Sequence, residues 1–130
     1  MSNMSSDCNK TNCPVVATLD MIGGKYKALI LWRLVDGTRR FGELRRLIPQ
    51  ATQKMLTQQL RELEEDNLII RTVYPVVPPK VEYQLSELGK SITPILDAMC
   101  AWGTDYMKSN GIDASCFMTE RKSDVTAGQG

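Results

Sequence analysis

Gln53, Lys54, Thr57, Gln58 and Arg61 recur at spacings of three and four within a short stretch of the chain. Leu56, Leu60 and Leu63 stand between them at i, i+4 and i+7. A helix there carries an apolar stripe on one face and amides, a hydroxyl and two cations on the other. Such groups donate to and accept from base edges and phosphate oxygens. Gln53 falls in the first turn, where recognition helices approach bases. On an isolated amphipathic helix the same face is simply solvated, so the surrounding elements must decide between the two readings.

Positive charge gathers around this stretch. Arg39, Arg40, Arg45, Arg46, Lys54 and Arg61 are interrupted only by Glu43, and the acids follow at Glu62, Glu64, Glu65 and Asp66. Arg71 and Lys80 lie further on. The chain as a whole is nearly neutral, with 16 Lys and Arg against 15 Asp and Glu. Any polyanion is therefore held by a local patch and not by the overall field.

Other chemistry is thinly represented. The sequence has no histidine, which excludes Ser-His-Asp triads, Cys-His pairs and HExxH zinc sites. The four cysteines, Cys8, Cys13, Cys100 and Cys116, form no Cys-x-x-Cys pair, and Cys8 to Cys13 is a loose spacing for zinc. Neither an enzyme nor a metal site is expected, and no cofactor motif is visible. Cys100, in an apolar helical stretch, reads as a small packed hydrophobe.

The positioning elements fit one domain of 130 residues, 42% hydrophobic and 24% charged. No apolar run approaches the length of a bilayer span, and the polar Met1–Asn12 lacks the apolar core of a signal peptide. A cytoplasmic protein without membrane contact is expected. Residues 1–12 read as a flexible arm, 13–109 as the folded domain, and 110–130 as a largely disordered tail.

Pro14 opens a first helix carrying Val15, Val16, Leu19 and Ile22, and Gly23-Gly24 predicts a left-handed stop. A second helix runs from Lys25 to about Val35, with Ala28, Leu31, Trp32 and Val35 inward. A short third holds Phe41, Leu44, Leu47 and Ile48 and ends before Pro49. Thr52 caps a fourth reaching about Asp66. Leu68–Tyr74 and Val81–Leu85 are rich in β-branched and aromatic residues, and Pro75, Pro78 and Pro79 lie between them, so a hairpin with a proline-rich tip is predicted. Ser86 then caps a helix to about Met107, with a break near Thr93 caused by Pro94. Its apolar residues Leu88, Ile92, Ile95, Met99, Trp102 and Tyr106 follow a 4-3-4-3-4 spacing, a seam for another helix and hence for a homodimer. The order describes a mainly α fold with a small β-hairpin (α+β): a winged helix-turn-helix with terminal dimerisation helices.

Cys13-Pro14, Leu19–Lys27, Arg40–Leu44, Gln53–Glu64 and Val81–Gly89 resemble the HxlR family of bacterial regulators, relatives of the MarR group. The resemblance runs without a gap from about Cys13 to Met107. It implies a homodimeric transcription regulator on double-stranded operator DNA, which for a twofold dimer is an inverted repeat. It also implies dimerisation through the first and last helices, which adds Val15, Leu19 and Ile22 to the seam. Several such regulators sense oxidants or electrophiles through a cysteine just before the first helix, the position of Cys13. As the N-cap, Cys13 stands at the positive end of the helix dipole, which favours the reactive thiolate. A purely structural Cys13 remains the alternative. So do two other functions: a winged helix that contacts only protein, and a cysteine-based redox or metal-binding protein.

Overall fold

The computed structural model describes residues 12–113. The expected arm up to residue 11 and the tail from residue 114 lie outside the described residues, as do Cys8 and Cys116. The order is α1 (Pro14–Ile22), α2 (Lys27–Leu34), β1 (Arg39–Arg40), α3 (Phe41–Leu47), α4 (Gln53–Glu65), β2 (Ile69–Tyr74), β3 (Lys80–Leu85), α5 (Glu87–Ser91) and α6 (Thr93–Ser109). The chain forms two compact units, one ending at Ser91 and the other beginning at Ile92. Among the described residues no helix is long and apolar enough to cross a membrane.

In the first unit the helices bury what their periodicity selects. Leu56, Leu60 and Leu63 of α4 are at most 2% exposed, and Leu44, Ile48, Leu68 and Ile69 lie equally deep. Leu60→Ala should therefore cost about 2–5 kcal/mol, the range for a truncated buried leucine. Chemical denaturation should show a lower midpoint with an unchanged slope. The hydroxyl of Thr52 accepts from the Met55 N–H at 3.1 Å and closes the N-terminus of α4. At the other end Asn67 adopts φ 62°, its N–H donates to the Glu64 carbonyl and that of Leu68 to Leu63. That pattern is a Schellman stop with asparagine in the left-handed position.

Two expectations about α1 and α2 are corrected. Gly23 does not adopt a left-handed backbone, since its φ is −81°. A glycine is needed there because an added Cβ would collide with the Leu19 carbonyl, and at Gly24 it would collide with the Gln59 side-chain amide. Close approach to backbone, not handedness, selects Gly23, whereas at Gly24 the neighbour is the movable end of a side chain. The buried stripe of α2 is Lys27, Ile30, Leu31 and Leu34, whereas Ala28, Trp32 and Val35 are half-buried. The helix starts two residues later than expected, and the inward stripe includes a lysine that polarity alone would assign to solvent.

The sheet is antiparallel in the order β1-β3-β2. Tyr74 faces Lys80 at the outer end of the hairpin and Ile69 faces Leu85 at its base. Arg39 and Arg40 pair with Tyr83 and Glu82, a third strand too short for periodicity to reveal. The Ser86 hydroxyl accepts from the Gly89 N–H at 3.0 Å and donates to the Asn67 carbonyl at 2.6 Å, tying the start of α5 to the end of α4. The expected break near Pro94 is present, because α5 ends at Ser91 and α6 begins at Thr93 with the proline in its first turn. Proline is tolerated there because its missing N–H has no partner in a first turn.

Within the second unit Ile92 and Leu96 are buried, at 9% and 3% exposure. Ile95, Met99, Trp102 and Tyr106 are exposed. Trp102 and Tyr106 stack with ring centroids 5.5 Å apart.

Candidate nucleic-acid interface

The polar side chains of α4 emerge where the periodicity put them. Gln53, Lys54, Thr57, Gln58 and Arg61 are all exposed, opposite the three buried leucines. Arg45 and Arg46 are exposed in the last turn of α3, and Arg71 is exposed on β2. Thr57 and Arg61 share with Arg71 and Tyr83 a cleft of about 320 Å³, also lined by Leu60 and Glu64. Helix and wing thus contribute one arginine each to a single concave surface.

The remaining cations differ in what they offer. The Arg40 side chain is exposed, and its backbone N–H donates to the Glu43 carboxylate at 2.9 Å, closing the first turn of α3. Arg39 is half-buried: its Nε donates to the Arg33 carbonyl at 2.8 Å, and its guanidinium lies 3.8 Å from Asp36 and 3.9 Å from Glu43. It braces the start of α3 more than it presents charge. Lys80 sits 3.4 Å from Glu82 and 4.7 Å above the Tyr74 ring. The Tyr74 hydroxyl donates to Glu82, which raises the tyrosine's pKa. The wing tip beyond Lys80 is uncharged, with Val77 fully exposed. Its positive charge therefore resides chiefly at Arg71.

Sequence reasoning missed the residues that hold α4 in place. The Tyr26 N–H donates to Gln59 Oε1 at 3.2 Å, and the Tyr26 hydroxyl donates to the Gln50 carbonyl just before α4, at 3.1 Å. Lys27 Nζ lies 2.8 Å from Glu62 Oε1 with its side chain 8% exposed. Glu62 Oε2 in turn accepts from Gln58 Nε2 at 2.8 Å. Hydrogen bonds from Lys27 and then Gln58, together with the lysine's charge, hold the Glu62 carboxyl below the usual range. Its contribution to stability is present above the ordinary carboxylate pKa and is lost as pH falls through the lowered value. A signal existed: Lys27 stands at i−3, i−4 and i−7 from Ile30, Leu31 and Leu34, a core position that demands a partner.

The residues expected in a dimer seam are divided. Val15 and Leu19 of α1 are 63% and 56% exposed, and Leu88 on α5 is 48% exposed. Ile22 and Ile92 are buried within the chain itself. The break between α5 and α6 turns the continuous heptad into a shorter stripe on α6, because Ile92 caps the new helix instead of lying along it. Cys13 is the N-cap of α1, as expected, and is 2% exposed. Cys100 is half-buried.

A helix with an exposed face of amides and cations, a short preceding helix and a wing define a winged helix-turn-helix regulator. Residues 21–111 match the HxlR-like helix-turn-helix family. The uncharacterised HTH-type transcriptional regulator YtcD of Bacillus subtilis (strain 168) is 59% identical over 98 residues, covering 75% of this chain and 78% of its own. The crystal structure of YtcD is similar with a TM-score of 0.71, at 58% identity, over 73% of this chain and 97% of that one. The redox regulator HypR in its oxidised form gives a TM-score of 0.69 at 53% identity, over 72% of this chain and 96% of HypR. The reduced form of the transcriptional regulator YodB from B. subtilis gives 0.64 at 36% identity, over 72% and 93%. This chain belongs to the HxlR-like helix-turn-helix family and is a transcriptional regulator.

Proposed function

We propose that the chain acts as a homodimer on inverted-repeat double-stranded DNA, with α4 in the major groove and the wing on the flanking backbone. The observation that carries this reading is the unbroken exposed face Gln53, Lys54, Thr57, Gln58 and Arg61, joined to Arg71 across one cleft. Arg40, Arg45 and Arg46 extend the positive surface toward the phosphates. The exposed stripes on α1 and α6 supply the twofold contact.

Cys13 makes the regulator thiol-responsive. It occupies the N-cap of α1, and the similar HypR is described as a redox regulator. Burial of the side chain restricts attack to small oxidants or electrophiles, or to a locally opened first turn.

Selection of bound sequences from a random duplex pool, run under reducing and oxidising conditions, tests the whole reading. The expected product is a palindromic consensus whose retention changes with oxidant in the native protein but not in Cys13→Ser. Thr57→Ala or Gln53→Ala should cost about 1–3 kcal/mol and relax the consensus where the side chain meets a base. Arg71→Ala should weaken every sequence alike and reduce the salt slope by about 1. Lys80→Ala should do less, since Glu82 already neutralises that lysine. Failure to enrich any sequence at low salt, with the protein folded and dimeric, would sink the proposal.

A further inference from the structure

Glu62 is too far along α4 to be an obvious base reader, yet it touches a residue that is. Its two oxygens are divided between a buried cation and an exposed amide: Oε1 lies 2.8 Å from Lys27 Nζ and Oε2 2.8 Å from Gln58 Nε2. An ionised carboxylate only accepts hydrogen bonds. The Gln58 side chain must therefore turn its NH₂ toward Glu62, which leaves its carbonyl oxygen and one N–H for an outside partner.

We propose that the Lys27–Glu62 pair is a specificity device that fixes the orientation of the Gln58 amide, so that Gln58 reads adenine. This rests on the reading of α4 as the DNA-facing helix. Glutamine recognises adenine by accepting from N6–H through Oε1 and donating to N7 through Nε2. Unrestrained, the amide can rotate by half a turn, exchange donor for acceptor and suit other edges. The carboxylate penalises the rotated state, because two acceptors would then face each other. Lys27 keeps the carboxylate ionised and in place. It is the first residue of α2, and neighbouring Tyr26 holds Gln59 from the same junction. The backbone of α4 and the rotamer of its outward amide are thereby set from one point in the fold. Glu62 and Lys27 are positioning residues, acting through Gln58 without touching DNA.

The test compares sequence profiles selected from a random duplex pool by the native dimer, Gln58→Ala, Glu62→Gln and the combination of the two substitutions. Lys27→Met/Glu62→Gln is the second route should Glu62→Gln fold poorly, because it leaves no unpaired buried charge. The native protein should select adenine at one position of each half-site. Glu62→Gln should reduce that preference by roughly tenfold, within the range of one bidentate contact, while other positions and non-specific affinity stay as they were. In the Gln58→Ala background Glu62→Gln should change the profile no further, because Glu62 acts only through Gln58. The proposal is overturned if Gln58→Ala erases an adenine preference that both Glu62 variants retain, or if the Glu62 variants weaken all positions equally. A Gln58→Ala profile identical to the native one would overturn the base-reading role of Gln58 itself, and the proposal with it.

Discussion

Inserting about five base pairs between the half-sites is expected to lower affinity to the non-specific level, since half a helical turn carries one half-site to the opposite face of the duplex. The exposed face of α4 from Gln53 to Arg61 extends about 12 Å along the helix, which matches the width of a major groove. A twofold dimer presents two such faces in fixed register, usually about one DNA turn apart. After the insertion only one face can engage its sequence. The expected loss is roughly a thousandfold or more, the usual interval between specific and non-specific binding. Titration of the two duplexes at constant salt measures it. Undiminished affinity would show that each subunit binds alone, and the rigid dimer would have to be abandoned.

Trp102→Glu should separate the subunits while leaving the protomer folded. Trp102 is 70% exposed on α6 and stacks on Tyr106, with Met99 and Ile95 continuing the stripe at helical spacing. So much aromatic and aliphatic surface on one face fits a self-complementary interface, and tryptophan is the commonest residue to dominate such contacts. A carboxylate there would have to lose its water for no partner. Dimer affinity should fall by at least about 2 kcal/mol, roughly 30-fold in the dissociation constant. The protomer buries little of this side chain and should keep its cooperative unfolding. Sedimentation across micromolar concentrations reads the effect, and operator affinity should decline in parallel. A native protein that sediments as a monomer, or a Trp102→Glu variant that stays dimeric, would remove α6 from the interface.

Much of this architecture is legible in adjacent residues. Thr52 before the Leu56-Leu60-Leu63 repeat locates the start and both faces of α4. The prolines at 75, 78 and 79 locate the wing tip, and Pro94 locates the break before α6. Each is a local signal, because helix period, capping and the fixed proline torsion involve only residues within a turn or two. That is also why the exposed face of α4 could be identified before any tertiary contact was known.

Contacts that periodicity and composition do not specify decided the rest. Polarity counts Lys27 as a surface charge although its spacing places it on the core stripe. Only the fold supplies the partner, Glu62 on a different helix at 2.8 Å, that lets it stay buried. Arg39 and Lys80 carry the same formal charge as Arg45 and Arg71, yet Asp36, Glu43 and Glu82 hold them against the fold. Gly23 and Gly24 advertise a left-handed turn, but at Gly23 the nearness of the Leu19 carbonyl is what requires a glycine. Charge and backbone freedom are properties of a residue. Their use depends on which groups the packed elements bring within a few ångströms, so the amphipathic plan belonged to the sequence, and the choice of which cations and amides remain for DNA belonged to the tertiary structure.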